Sequence, residues 1–136
     1  MAATLKLEIV TPEAKIFSED VEMVTLTGID GQMGILPQHM PLMTALASGE
    51  IVARKDGGNI FLAVGEGFVQ VTREKVSVLT DMAIKADDID EAKAEEARQK
   101  AEARLAQKLS DEETVSAQAA LMHAMTQLNV KRRHAR

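Results

Sequence analysis

Three histidines, His39, His123 and His134, are the only side chains in the 136 residues whose ordinary titration falls near neutral pH. General-base work or nitrogen ligation would fall on them, and no two are spaced for one helical face or for a metalloprotease motif. His39 sits among Pro37, Gln38 and Pro41 in a rigid uncharged stretch, which reads as a packing or capping position. A hydrolase built on His39 would need a partner, and its own loop holds no Ser, Cys or acid. His123 lies beside an apolar helical stripe and has the same structural reading. The run Gly28-Ile29-Asp30-Gly31-Gln32-Met33-Gly34 looks like a phosphate loop only in its glycines. It lacks the P-loop lysine and no helical pattern follows, so it reads as a hairpin turn.

Composition narrows the classes further. The absence of cysteine removes disulfides, thiol nucleophiles, thiolate zinc sites and iron–sulfur clusters. A net charge of −5 and a pI near 5.2 give no general basic face for DNA or RNA. With no Trp, no Tyr and only Phe17, Phe61 and Phe68, no aromatic platform exists for stacking bases or sugars. The N-terminus, Met1-Ala2-Ala3-Thr4-Leu5-Lys6, enters an alternating pattern without the basic-then-apolar run of a signal peptide. The uncharged stretches Gly31 to Gly49 and Thr114 to Val130 are too polar or too short to span a bilayer. A cytosolic-facing chain with no direct bilayer insertion is expected.

The elements that would carry these residues divide near residue 86. All 8 glycines and all 3 prolines precede residue 68, and the stretch from Asp87 to Arg136 has neither. The expected fold is an N-terminal all-β sandwich or flattened barrel over 1–86, followed by a C-terminal antiparallel α-helical hairpin over 87–136. In Leu5-Lys6-Leu7-Glu8-Ile9 the apolar residues alternate, as in a strand with one buried face. Val21–Thr27, Glu50–Arg54, Asn59–Val64, Phe68–Val71 and Lys75–Leu79 read as further strands. Turns fall at 28–31, 55–58, 65–67 and 72–74.

Beyond the boundary the period becomes helical. Asp88 with Glu91 reads as a cap for a helix over about 88–108, and Ser110 with Glu113 as the capping box of a second helix. Ala94, Ala97, Ala101, Leu105 and Leu109 form the stripe of the first; Ala117, Leu121, Ala124 and Leu128 form that of the second. So short a connection requires a folded-back hairpin or one extended rod. An alanine stripe buries little area, which makes the hairpin marginal by itself. A second apolar row, Val115, Ala119 and Met122 with Met125 beside it, gives the second helix an additional surface for the β part or another protein. Lys131, Arg132, Arg133 and Arg136 gather at its end, where cations suit the helix dipole.

Three features in one order carry a resemblance: a glycine-rich β region, the loop Gly34-Ile35-Leu36-Pro37-Gln38-His39-Met40-Pro41-Leu42, and the helical opening Asp87-Asp88-Ile89-Asp90-Glu91-Ala92. Ser18–Val24, Gly65–Val71 and Ala117–Leu121 continue it. The chain resembles the bacterial F-type ATP synthase epsilon subunit along its full length. The resemblance implies a non-catalytic rotor component without a cofactor, peripheral on the cytoplasmic face of the bacterial plasma membrane. It implies that the β part joins the gamma subunit to the c-ring, and that the hairpin inhibits ATP hydrolysis when extended toward the alpha/beta catalytic subunits. By position, gamma and c-ring contacts would involve Gln32, His39 and Thr44, with Gln32 standing where many members carry an acid. Lys131, Arg132 and Arg133 would meet an acidic segment of the catalytic beta subunit.

Some members of that family bind ATP between the helices. Here Asp90 matches, Lys93 replaces an arginine, and Ile84, His123 and Gln127 replace a glutamate and two arginines. Losing two cations and the guanidinium fork predicts no ATP binding at physiological concentration. The alternative reading, a nucleotide-sensing regulatory module whose hairpin closes on ATP, would require the reverse.

Overall fold

The computed structural model describes residues 3–134, so Met1, Ala2 and the tail cation Arg136 lie outside the described residues. The strands are β1 (Leu5–Val10), β2 (Lys15–Val21), β3 (Met23–Gly28), β4 (Gly31–Ile35), β5 (Leu42–Leu46), β6 (Gly49–Lys55), β7 (Gly58–Val64), β8 (Gly67–Val71), β9 (Lys75–Thr80) and β10 (Ala83–Lys85). They form one 10-stranded sheet in the order β10-β7-β6-β3-β5-β8-β9-β1-β2, with β4 paired on β3. β1 and β9 run parallel, and β1–β2, β6–β7 and β8–β9 are antiparallel. The sheet curls into a near-closed barrel, drawn together where Lys55 pairs with Glu19 and the Asp56 amide donates to Glu22 at 2.9 Å. The Glu19 hydrogen bond holds the Lys55 ammonium above its usual range.

Alternation fills the interior. Leu5, Leu7 and Ile9 of β1 point inward with Val24, Leu26, Ile51, Leu62, Val69 and Val78, all buried. At the β6–β7 turn, Asp56 and Gly57 both take positive φ, 53° and 79°, as a two-residue hairpin of this hand requires.

Three elements differ from the sequence expectation. The expected strand Val21–Thr27 is two pieces: β2 ends at Val21, and Glu22 turns the chain, its amide donating to Arg54 O at 2.7 Å. β2 carries no clear strand alternation because its inward row, Phe17-Glu19-Val21, has an acid at the centre, which Lys55 meets. Residues 31–46 hold two strands rather than a loop. Glycines in β4 and the unalternated Leu-Met-Thr-Ala-Leu of β5 hid a strand signal that cross-strand pairing with β3 and β8 supplies.

The helices are α1 (Glu91–Leu105) and α2 (Asp111–Arg133). Residues Ala86–Asp88 form a short 3₁₀ turn and Ile89 is buried, so the cap moves from Asp88 to Asp90, which accepts from the Lys93 amide at 3.1 Å. Ser110 and Glu113 form the expected capping box. Of the two connections open to so short a link, the structure has the hairpin: Arg132 near the end of α2 bonds Glu91 at the start of α1, at 2.8 Å. Ala94, Ala101, Ala117, Ala124 and Leu128 are buried in the helical region, while Leu105 and Leu121 are half-buried. Ala97 faces solvent; Arg98 is half-buried, held by Glu95 and Glu102. The hairpin lies against the barrel through Val130 of α2, which packs with Ala63, Ala86 and Ile89.

Candidate functional site

Outside the barrel, the register that buries Ile9, Val78 and Val69 turns their neighbours outward. Val10 lies opposite Leu79, Leu79 opposite Phe68, and Phe68 opposite Ala45. Phe68 is 61% and Leu79 57% exposed, large apolar groups that an isolated chain gains nothing by showing to water. Ile29, at the β3–β4 turn, extends the band: its amide donates to Ala45 O at 3.1 Å, and with Ala45 and Phe68 it lines a cavity of about 500 Å³. Gly67 makes the band possible, because a Cβ there would sit 1.8 Å from Leu79 O. Two strands can meet this closely only without a side chain.

Met43, two residues before Ala45 on the same outward face of β5, extends the band, and Leu36 and Met40 project as an exposed cap from the β4–β5 connection. The connection is held by the Gln38 amide donating to Arg73 O at 2.8 Å, with Gln38 at φ 67°, and by the His39 amide donating to Leu36 O at 3.2 Å. His39 Nδ1 donates to Met40 O at 2.8 Å, which orients the ring within its loop. Gln32 is exposed on β4 opposite Thr27, and Thr44 is half-buried on β5 opposite Val69. These three positions are therefore not one cluster. Gln32 lies by the β3–β4 turn, whereas His39 lies beyond the other end of β4, roughly 10 Å or more along the strand.

The candidate nucleotide residues are committed elsewhere. The Asp90 carboxylate caps α1, and Lys93 is exposed on the following turn. A cavity of about 590 Å³ opens where α2 meets the barrel, with Asn59, Phe61, Lys85, Asp87, Lys131 and His134 in its wall, and neither Asp90 nor Lys93 lines it. Beside Asp90, Arg132 is engaged by Glu91 and by Glu95, whose hydrogen bonds hold the guanidinium above its usual range. Glu95 is held below the usual carboxylate range, chiefly by its hydrogen bond from Arg98. Among the described residues no group of three or more His, Cys, Asp or Glu is arranged to hold a metal ion.

The seam between α2 and the barrel contains the residues that the sequence reading missed. Ser48 Oγ donates to Val64 O at 3.2 Å and so accepts from Thr126 Oγ1 at 2.9 Å. His123 Nε2 lies 3.1 Å from Asp81 and His134 Nε2 lies 3.0 Å from Glu50. Contrary to the expectation from spacing, His123 of α2 and His134 at its C-cap both face the barrel, since eleven positions make almost whole helical turns. Gly65 makes room for the first pair, because a Cβ there would come within 2.0 Å of Asp81 Oδ1 and 3.1 Å of His123 Nε2. The row expected to give α2 its second surface is different in kind. Val115, Met122 and Met125 remain exposed, and the buried contacts to the barrel come from Thr126 and Val130. The spacing 126-130-134 carried that signal, but Thr and His at two of the three positions masked it as polar.

The architecture is a β barrel with exposed apolar outer surfaces carrying a helical hairpin. Comparison with known proteins gives the particular kind. The profile of the β-sandwich domain of the ATP synthase delta/epsilon chain matches residues 4–86, and that of its long α-helix domain matches 87–132. The ATP synthase epsilon chain of Desulforamulus reducens is 42% identical over 128 residues, covering 94% of this chain and 97% of the relative. That of Dehalococcoides mccartyi is 44% identical over 136 residues, covering 97% of each, and epsilon chain 2 of Syntrophotalea carbinolica is 44% identical over 137, covering 100% and 99%. A chain in the Euglena gracilis mitochondrial ATP synthase shares the fold with a TM-score of 0.72 at 23% identity, over 93% of this chain and 80% of that one. A chain in the central stalk and c-ring of the Tetrahymena thermophila mitochondrial ATP synthase shares it with a TM-score of 0.56 at 10% identity, over 96% and 98%. This chain belongs to the ATP synthase delta/epsilon chain family, and is a non-catalytic subunit of that synthase. No helix among the described residues is long and apolar enough to cross a membrane.

Proposed function

We propose that the chain is the epsilon-type subunit of the central stalk of a proton-translocating F-type ATP synthase, with residues 1–86 as a clamp and 87–136 as a regulatory hairpin. The clamp joins the gamma subunit to the c-ring, peripheral on the cytoplasmic face of the bacterial plasma membrane. The observation that carries this reading is the exposed apolar surface of the barrel: the Ile29–Phe68–Leu79 band, extended by Met43, and the Leu36–Met40 cap in the β4–β5 connection. An exposed apolar surface of this extent fits a part held against partner subunits. The band faces gamma in this proposal, and the cap, with His39, faces the ring.

The hairpin acts as a brake on ATP hydrolysis when it leaves the barrel and presents Lys131, Arg132 and Arg133 to an acidic segment of the catalytic beta subunit. Support comes from its thin attachment, since Thr126 and Val130 are the α2 residues buried beyond the helix–helix stripe. The test is ATP hydrolysis by the reconstituted catalytic complex with the full chain and with a chain ending at Lys85. Faster hydrolysis with the shortened chain is expected. Equal rates would leave the barrel as a coupling clamp and remove the brake.

A further inference from the structure

We infer that Glu50 is the latch that keeps the hairpin on the barrel, and that it does so by occupying cations the extended hairpin would offer to an acidic partner. Glu50 lies near the start of β6, facing the end of α2. One carboxylate oxygen, Oε2, accepts from Arg133 Nη1 at 3.1 Å and from His134 Nε2 at 3.0 Å. Its side chain is only 12% exposed, against 46% and 56% for Glu91 and Arg132. Although Arg133 is itself 62% exposed, the shielding of Glu50 makes its hydrogen bonds count for more than those between two fully exposed ions.

The surroundings reinforce this attachment. The His134 ring stacks on Phe61 of β7 with centroids 3.6 Å apart and planes 15° from parallel. Lys131 Nζ donates to Ala86 O at 3.2 Å, on the far side of the same seam. The basic end of α2 therefore splits in two. Arg132 pairs with Glu91 and Glu95 of α1 and travels with the hairpin, whereas Arg133, His134 and Lys131 pair with the barrel or its exit turn and must be surrendered before the hairpin can move. Docking and capture of an acidic segment are thus mutually exclusive for those side chains. This inference rests on the brake reading for its consequence, but not for the latch itself.

The test uses the full chain, whose lack of cysteine lets spin labels be placed on the exposed Arg73→Cys in the β8–β9 turn and Asn129→Cys on α2. Their distance distribution reports docking without any partner. The chain with Glu50 intact should give one population. Glu50→Gln should raise the undocked-to-docked ratio roughly tenfold or more, on the scale of hydrogen bonds to a charged group. The double variant Arg133→Gln, His134→Gln should do the same, which covers the case in which the Glu50 variant folds poorly. Glu91→Gln, which breaks a pair inside the hairpin, should leave the distances unchanged. Unchanged distances in the Glu50 and double variants, or equal opening by Glu91→Gln, would overturn the latch. Undocking by Glu50→Gln without a fall in hydrolysis by the reconstituted complex would uphold the latch and count against the brake.

Discussion

Val130 gives the sharpest test of how the hairpin is held. It is 2% exposed and packs with Ala63, Ala86 and Ile89, apart from the main barrel core. Val130→Ala deletes two buried methyl groups, worth about 0.8 kcal/mol each in transfer, with a further cost for the cavity left behind; the sum is about 1.5–3 kcal/mol. That corresponds to a docking equilibrium weakened roughly ten- to a hundredfold. Because an alanine-packed hairpin of this length is marginal without support, undocking carries over into fraying of both helices. Amide hydrogen exchange on the full chain should therefore accelerate by that factor in α1 and α2 while β1, β6 and β9 stay protected. Val115→Ala is the control, since that side chain is 66% exposed and its loss should cost under about 0.5 kcal/mol. If barrel and helix amides accelerate equally, the two parts unfold as one unit and the thin-seam reasoning fails. It also fails if Val115→Ala matches Val130→Ala.

Ser110→Ala removes the acceptor for the Glu113 amide and should lower helix stability by about 1 kcal/mol, read as lost helical circular dichroism on warming. The Ser110 hydroxyl also holds the Glu113 carboxyl below its usual range, so the stabilisation is complete above about pH 4.3 and declines as acid protonates it through its lower folded value. Glu113→Gln should remove that part of the acid dependence; an unaltered acid titration of helicity would refute it. Gly67→Ala should force β8 away from Leu79 O and destabilise the barrel by roughly 1–3 kcal/mol in urea unfolding, and an unchanged midpoint would show that the strands separate freely. Calorimetric titration with ATP should show no sub-millimolar binding, since Asp90 is spent as a cap and Arg132 is paired with Glu91 and Glu95; measurable heat of binding in that range would restore the nucleotide-sensing alternative.

What was legible in the residues was everything governed by local period and local chemistry. The alternation of Leu5-Lys6-Leu7-Glu8-Ile9 marks a strand, and Ser110 with Glu113 marks a helix start, because both signals act within a few residues. The absence of cysteine and tryptophan, the acidic balance and the glycine boundary also belong to the sequence alone. Where the chain depends on a partner strand, the reading stopped. β4 and β5 have weak propensity, and β2 carries Glu19 on its inward row; each becomes a strand through pairing contributed by residues far away in sequence.

The site divides in the same way. That Lys131, Arg132 and Arg133 form a basic helix end was plain, but which acids answer Arg132 and Arg133 is a property of folding back across 37 to 83 positions of chain. Ala97 shows the same dependence, since its spacing fits the stripe and yet it stays exposed once the helices pack. Phe68 and Leu79 alternate like any half-buried strand residues, and their outward placement follows from a barrel whose interior is already filled. Sequence determined the elements with a local signal and their chemistry; tertiary structure decided the remaining strands and which faces remain to be covered, because burial is settled by competition among all elements for one small interior.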